Sequence, residues 1–279
     1  MLYFIVFKYL PIIGVLIAFL DFNMFAGILG STWVGLDNFK EVFRMVDFWK
    51  ALRNTFLLNS LDLLFGFPAP IILTLILNEL RIQWFKKVSQ TILYFPHFLS
   101  WVIIGGIATQ IFFKTGVLNN LVVKSGGVAI PFLTEKWNWL SIYIGVGIWQ
   151  NLGWGTIIYL AALAGVNKEL YEAASIDGAG RLRMVWNISL PGIKSTIILM
   201  LVLSIGKIAN IGFDRPFVLG NAFVVDFSDV ISTYVYRIGL QAGRFNIATA
   251  VGLFQSVVGL TFLLSAEWIV RKSGEQGLI

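Results

Sequence analysis

The sequence predicts an all-α, polytopic membrane protein with about six transmembrane helices. Its 279 residues are 57% hydrophobic and only 13% charged, with a mean hydropathy of +0.80, whereas soluble proteins carry about 25% charged residues. Six apolar segments also reach the roughly 20 residues that a helix needs to cross a ~30 Å hydrocarbon core. Backbone groups in lipid must bond internally and no alternating barrel pattern is present, so these segments are predicted helices.

The six predicted spans form one domain, residues 1–279, without tandem repeats. They cover residues 2–20, 55–77, 92–113, 140–163, 193–212 and 247–270. The first apolar run starts at Met1 and has no small-residue cleavage site, so we interpret it as a span rather than a signal peptide. We expect either that a cytosolic stretch precedes it or that the numbering starts inside the first helix.

Composition excludes several kinds of site. The chain has no cysteine, which excludes disulfides, thiolate catalysis and cysteine-ligated metals. Its one histidine, His97, excludes a histidine-rich metal site, and we expect it to be a hydrogen-bonded interface residue rather than a catalyst. The net charge of +6 is also found in nucleic-acid-binding proteins, but here the basic residues lie in short segments between apolar runs. That distribution indicates membrane topology and no nucleic-acid partner.

Basic residues concentrate on one side of the predicted membrane. In a count of six helices, three short segments on that side carry Arg81, Lys86, Lys87, Arg181, Arg183, Lys194, Arg271 and Lys272. Basic residues on the other side are spread over longer loops and offset by acidic residues. Short loops rich in lysine and arginine face the cytosol, so we expect these segments and both termini to be cytosolic.

An amphipathic segment follows the first span on the outer side. Apolar residues recur every three or four positions and define one helix face: Leu36, Phe39, Phe43, Val46, Trp49 and Leu52. Asp37 is placed to cap its start. Two arrangements fit the pattern: a helix lying flat on the membrane surface, or a helix packed on neighbouring loops.

The segment between the fourth and fifth spans, residues 168–194, is longer than a passive connection requires. Residues 169–176 favour a helix, and Gly178 permits a turn that a side chain would resist. Residues 181–188 favour a second short helix, which Pro191 either stops or links to the next span. The pattern predicts a helix–turn–helix that projects from the membrane and carries a carboxylate at Glu172.

This segment resembles the signature loop of ABC-importer permeases. The loop reads Glu-Ala-Ala, three residues, Gly, nine residues, Ile, one residue, Leu-Pro, and the chain matches it at Glu172, Ala173, Ala174, Gly178, Ile188, Leu190 and Pro191, with Asp177 beside the glycine. The resemblance implies a type I ABC importer permease fold in which residues 166–192 form a coupling helix. It also implies that Glu172 faces a basic residue of a cytosolic ATPase and that Gly178 makes the turn.

Further segments resemble the carbohydrate branch of this family, and the closest match is to polysaccharide or oligosaccharide permeases. They are residues 7–11, 33–39, 65–70 and 94–98. The resemblance implies one half of a permease heterodimer in the bacterial cytoplasmic membrane, working with two ATPase subunits, an extracytoplasmic solute-binding protein and a carbohydrate solute. ATP and magnesium are then bound by the ATPases. This chain has no Gly-x-x-x-x-Gly-Lys-[Ser/Thr] loop, and we expect no cofactor and no catalytic residue in it.

Polar side chains within the fourth and fifth spans are candidates for a solute pathway, because polar groups in lipid need a partner or a wet cavity. By alignment through the loop with the maltose-type permease, the candidates are Gln150, Asn151, Trp154, Ser204 and Lys207. Asn210 is added because Ser204, Lys207 and Asn210 recur every three residues and are predicted to share one helix face. The alternative for such residues is interhelical hydrogen bonding. Lys207 suggests an acidic, uronate-containing sugar such as an alginate or pectin fragment. Its alternatives are snorkelling towards the interface or pairing with Asp62.

Three rival functions are weighed against this one. A membrane enzyme is disfavoured because the sequence shows no recognisable set of catalytic residues. A secondary transporter would need ion-coupling charges and internal repeats, and it does not account for the matched loop. An ABC permease for a non-sugar solute has the same loop, and only the wider resemblance to sugar permeases argues against it.

Overall fold

The computed structural model describes residues 2–80 and 82–272. Helix dominates these residues, and one short antiparallel strand pair, β1 (Leu20–Asp21) with β2 (Thr32–Trp33), closes the segment after the first helix. Met1, Arg81 and residues 273–279 lie outside the described residues. The prediction that Arg81 lies on the cytosolic side therefore falls outside the described residues. The observed fold therefore agrees with the predicted all-α class.

The helical stretches of residues 2–80 and 82–272 are labelled in chain order. They are α1 (Leu2–Phe19), α2 (Asp37–Arg44), α3 (Val46–Glu79), α4 (Gln83–Tyr94), α5 (Trp101–Phe112), α6 (Val117–Lys124), α7 (Lys136–Ala164), α8 (Lys168–Ile176), α9 (Arg181–Gly192), α10 (Lys194–Gly206), α11 (Asp214–Leu219), α12 (Ile231–Val235) and α13 (Phe245–Lys272). Single helical turns also occur at Gly27–Gly30 and Val225–Ser228, a 3₁₀ turn at Phe95–Phe98 and a π-helical turn at Tyr236–Gln241.

The predicted count of six spans is approximate. Among the described residues, four helical stretches are long and apolar enough to cross a membrane: Leu2–Phe19, Val46–Glu79, Trp101–Lys124 and Phe245–Lys272. A fifth is added if α9 and α10, which meet at a 61° bend, count as one span. Helix α7 has 29 residues, but Trp149, Gln150 and Asn151 interrupt its apolar sequence. The multi-span membrane protein is confirmed.

The outer amphipathic segment is not the single helix that its periodicity predicts. Helix α2 ends at Arg44, Met45 is extended, and Val46 already begins the long helix α3. The predicted cap is also wrong. Leu36 occupies the cap position without a side-chain hydrogen bond, while the Asp37 carboxylate pairs with Lys40 at 2.7 Å.

Two predicted spans are interrupted. The third was predicted as one helix over residues 92–113, but the chain passes through the 3₁₀ turn at Phe95–Phe98 and two non-helical residues before α5 begins. Pro96 contributes because it has no backbone N–H to donate. The Ser100 hydroxyl restarts the helix by accepting a hydrogen bond from Ile103 N at 3.4 Å. The fifth span ends at Gly206, six residues before its predicted end at residue 212.

The described residues form two compact units. The first contains residues 2–59 and 207–262, and its buried core is Ala18, Val42, Phe48, Ala51, Ile231, Tyr234, Ile247, Ala250 and Val251. A buried amide supports this core. The Asn38 side chain donates to the carbonyls of Ala18 and Leu20, both at 2.9 Å, at the end of α1. The single domain predicted from the sequence stays a prediction.

The second unit contains residues 60–80, 82–206 and 263–272 and is organised around α7. Its buried residues include Ile71, Tyr159, Leu163 and Ile193. Glycine allows other elements to approach α7 closely. A Cβ atom at Gly153 would lie 2.1 Å from the Leu93 carbonyl oxygen. The unit therefore depends on backbone contact that any side chain at this position would block.

We predict that Gly153→Ala destabilises the protein, because the added methyl group meets the backbone of α4 rather than a movable side chain. The expected cost is about 1–3 kcal/mol, measured as a lower midpoint of thermal unfolding in detergent. Gly145→Ala in the same helix is the matched control, since nothing lies within 4 Å of its added Cβ. Alanine favours a helix over glycine by about 1 kcal/mol, so the control should be neutral or stabilising. Equal midpoints for both variants would contradict the packing argument.

Candidate functional site: the loop between α7 and α10, and the polar face of α7

The loop between α7 and α10 is a helix–turn–helix, as its residues predict. Helix α8 starts after Asn167, whose side-chain oxygen accepts a hydrogen bond from Glu169 N at 3.0 Å. It ends at a turn in which Gly178 has a φ of +74° and Ala179 N donates to the Ala174 carbonyl at 2.9 Å. This left-handed backbone favours glycine. The second arm, α9, then begins at Arg181.

The two arms of the loop are held together at their base. The Tyr171 hydroxyl of α8 and the buried Ser189 hydroxyl of α9 lie 3.0 Å apart. A Cβ at Gly192 would lie 2.6 Å from Val166 Cγ2, so the incoming and outgoing segments touch. These contacts make the loop one structural element rather than a flexible connection.

The outer surface of the loop is apolar and open. Ile176 is 86% exposed, Leu182 77% and Trp186 68%. Among the predicted coupling residues, Glu172, Ala173, Asp177, Gly178 and Pro191 are exposed, while Ala174, Ile188 and Leu190 are half-buried. Apolar side chains with a carboxylate beside them form a surface suited to contact with another protein.

On the polar face of α7, the two predicted amides bond to each other. Asn151 Nδ2 donates to Gln150 Oε1 at 2.8 Å and to the Gly147 carbonyl at 3.1 Å. Gln150 is 7% exposed, whereas Asn151 is exposed. Trp154 lies one turn further along the helix and is 46% exposed. The structure therefore brings these three predicted solute residues onto neighbouring positions of one helix.

The predicted face of Ser204, Lys207 and Asn210 is not a helix face, because α10 ends at Gly206. The Ser204 hydroxyl donates to the Met200 carbonyl at 2.8 Å within the helix. Lys207 and Asn210 belong to a turn in the other unit, and both are exposed. A Cβ at Gly206 would lie 2.7 Å from Leu263 Cδ1, a close approach that the helical pattern does not reveal.

Two side-chain amides that the sequence reasoning missed hold this turn. Asn59 Nδ2 donates to the Ile208 carbonyl at 2.7 Å, and Gln255 Nε2 donates to the Ala209 carbonyl at 2.7 Å. Both carbonyls would otherwise lack a helical partner, which is costly in lipid. Asn59 and Gln255 stand out in the sequence as polar residues within the apolar runs of α3 and α13. The sequence does not show which carbonyl each one bonds, because that carbonyl lies 149 and 46 positions away, respectively.

The surroundings of His97 differ from the prediction at one ring nitrogen. Its Nδ1 atom is buried and has no hydrogen-bond partner among the described residues, so the expected hydrogen-bonded role is not seen for this atom. Instead, the imidazole lies parallel to the Trp154 indole, with ring centroids 4.5 Å apart and an interplanar angle of 4°. The histidine therefore contacts a predicted solute residue.

The chain matches a known protein family over most of its length. Residues 48–274 match the family described as "Binding-protein-dependent transport system inner membrane component". The chain belongs to this family. The matched region runs from the first turn of α3 to two residues past the end of α13 and includes the whole helix–turn–helix loop, so the family covers most of the permease.

Relatives match the permease along nearly its full length. Protein LplB of Bacillus subtilis (strain 168) is 48% identical over 100% of this chain and 88% of its own length. The polygalacturonan/rhamnogalacturonan transport system permease protein YteP of the same organism is 46% identical over 99% and 87%. A crystal structure of a bacterial alginate ABC transporter in complex with an alginate-pentasaccharide-bound periplasmic protein shares 39% identity, covers 99% of this chain and 93% of its own, and has a TM-score of 0.90. The permease therefore has an ABC importer permease fold.

We predict that Gly178→Ala loosens the loop, because alanine in the left-handed conformation costs about 1–2 kcal/mol. Limited proteolysis of the purified permease should then cut the loop about 5- to 30-fold faster.

The control is Gly180→Ala two residues later, where φ is −69° and an added Cβ meets nothing within 4 Å. It should be cut at the wild-type rate. Identical rates for the two variants would show that the backbone conformation at Gly178 does not hold the turn.

Proposed function

We propose that this permease imports acidic oligosaccharides across the bacterial cytoplasmic membrane, with energy supplied by ATP hydrolysis in partner subunits. The observation that carries the proposal is near-full-length similarity to a polygalacturonan/rhamnogalacturonan permease and to an alginate transporter. Both of those polymers contain uronate sugars, which carry a carboxylate on each uronate ring. A permease for a non-sugar solute has no comparable support.

The assembly in this proposal is a heterodimer of this chain with a second permease, two ATPase subunits and an extracytoplasmic solute-binding protein. The exposed surface around Ile176, Leu182 and Trp186 supports a partner on the loop, since a monomeric soluble surface rarely leaves such large side chains open together. Binding-protein dependence is part of the description of the family. In this scheme ATP and magnesium are bound by the ATPases, and this chain is not catalytic.

Coupling is proposed to run through residues 166–192. Closure of the ATPases moves the loop. Because the hydrogen bond between Tyr171 and Ser189 joins the two arms at their base, both arms move together. The transport cycle is then a two-state change whose balance is set by nucleotide and by the loaded binding protein. The loop and both termini face the cytosol in this proposal, supported by the basic residues in the segments on that side.

The residues proposed to contact the solute are Gln150, Asn151, Trp154, Ser204, Lys207 and Asn210. Aromatic rings and amides suit a sugar, which presents C–H faces and hydroxyls. Lys207 supplies a positive charge for a carboxylate, and its exposed side chain lies in a turn whose carbonyls are already bonded by Asn59 and Gln255.

Transport assays test this proposal. Proteoliposomes that contain the complete assembly should take up oligogalacturonate in an ATP-dependent manner, and should take up a neutral glucan of the same length much more slowly. Equal uptake of the two would contradict acidic selectivity, and uptake of neither would contradict the carbohydrate function.

Lys207→Ala should reduce the preference for the acidic oligosaccharide by at least about tenfold, because a charge-assisted hydrogen bond contributes about 1.5–3 kcal/mol. Lys207→Arg keeps the charge and should keep most of the preference. The measurement is the ratio of initial uptake rates for acidic and neutral solutes at equal amounts of assembled complex. An unchanged ratio in Lys207→Ala would end the proposed role of this residue.

Glu172→Lys should uncouple transport, since it replaces a carboxylate on the loop by a charge of opposite sign. Loss of a charge pair at a protein interface costs about 2–5 kcal/mol, so stimulation of ATP hydrolysis by the loaded binding protein should fall by more than about tenfold. Glu169→Lys makes the same charge change one turn earlier in α8 and should have a much smaller effect. Normal stimulation in Glu172→Lys would refute the coupling role.

A further inference from the structure

The His97–Trp154 stack is a built feature of the second unit rather than a chance contact. Phe98 meets both rings edge-on, with centroid distances of 5.9 Å to His97 and 6.1 Å to Trp154. The three rings therefore form a small aromatic cluster. His97 and Phe98 reach it because the chain between α4 and α5 turns through 3₁₀ geometry instead of continuing as one helix.

The backbone that carries Trp154 is fixed on both sides. Gly153 contacts the Leu93 backbone, and a Cβ at Gly155 would lie 2.8 Å from Pro70 Cγ. A tryptophan between two such close approaches has little freedom to shift with its helix. The imidazole covers one face of the indole, and Trp154 is still 46% exposed.

Trp154 projects from α7 in nearly the same direction as two polar residues. At 3.6 residues per turn, its direction from α7 falls about 40° from Gln150 and about 60° from Asn151. Trp149 points about 140° away from it and lines an apolar groove of about 280 Å³ with Ile104 and Phe112. The two tryptophans therefore face different surroundings, and only Trp154 combines an open ring with hydrogen-bonding amides.

We propose that His97 is a positioning residue for solute recognition: its imidazole covers one face of Trp154 and holds the indole so that a pyranose ring of the solute stacks on the other face. The exposed amide of Asn151, oriented by its hydrogen bond to the buried Gln150, then meets a hydroxyl group of the same sugar. This inference rests on the proposed carbohydrate function. In this proposal His97 acts through ring stacking and neither binds a metal nor transfers a proton.

Uptake by the reconstituted assembly tests the proposal with oligogalacturonate as solute. His97→Leu removes the flat ring and should lower the uptake rate about 3- to 10-fold, whereas His97→Phe keeps a flat ring and should stay within about twofold of wild type. An aromatic pair has an effect of this order beyond the area that it buries. His97→Phe with the same loss as His97→Leu would overturn the stacking role.

A double-mutant cycle separates positioning from a merely structural effect. Trp154→Ala should already lose what His97→Leu loses, so the double variant should be no slower than Trp154→Ala alone. The matched control pairs His97→Leu with Trp149→Leu, whose effects should multiply because the two residues are independent. Losses of His97→Leu and Trp154→Ala that multiply in full would overturn the proposal.

Fluorine NMR supplies a readout that does not depend on transport. In permease labelled with 5-fluorotryptophan, the Trp154 signal is identified by its absence in Trp154→Phe. It should move in His97→Leu without solute, and oligogalacturonate should move it in wild type. A signal unchanged in His97→Leu refutes positioning even if import occurs. Wild-type assemblies that import no carbohydrate refute the proposed function and the solute contact, while a moved signal still supports the stack.

Discussion

The structure depends on satisfying backbone carbonyl groups where helices break inside apolar segments. Lipid offers no hydrogen bonds, so each carbonyl freed by a helix end needs a donor from the protein. At the end of α10, Asn59 and Gln255 supply those donors to the carbonyls of Ile208 and Ala209. The turn after Gly206 is thus held from two other helices.

The same solution recurs elsewhere in both units. Side-chain amides donate to two carbonyls each at three further places: Asn38 to Ala18 and Leu20, Asn54 to Asp226 and Asp229, and Asn119 to Phe113 and Ile130. All three amides are buried. A buried amide that makes two such bonds stabilises the chain and also specifies one arrangement, since a slipped helix would leave the carbonyls without donors. These positions explain how a permease can contain broken helices without losing a defined structure.

A rigid frame of this kind suits a protein that transmits movement. The loop between α7 and α10 has its turn defined by Gly178 and its base closed by Tyr171 and Ser189, while its outer surface stays open to a partner. Far from the loop along α7, Trp154 is held between two glycines that contact neighbouring elements. One helix therefore links the element proposed to receive the mechanical input with the residues proposed to meet the solute.

The sequence by itself determined the all-α membrane class and the helix–turn–helix loop with Gly178 at its turn. These follow from local properties: the length of apolar runs, the helix preference of residues 169–176 and the freedom of glycine at positive φ. Only the tertiary structure decided the end of α10 at Gly206 and the contact of His97 with Trp154. Their causes are pairings between distant residues, such as Asn59 with the Ile208 carbonyl 149 positions away. Hydrophobic periodicity reports which side chains avoid water, and it carries no information on which distant amide meets which carbonyl.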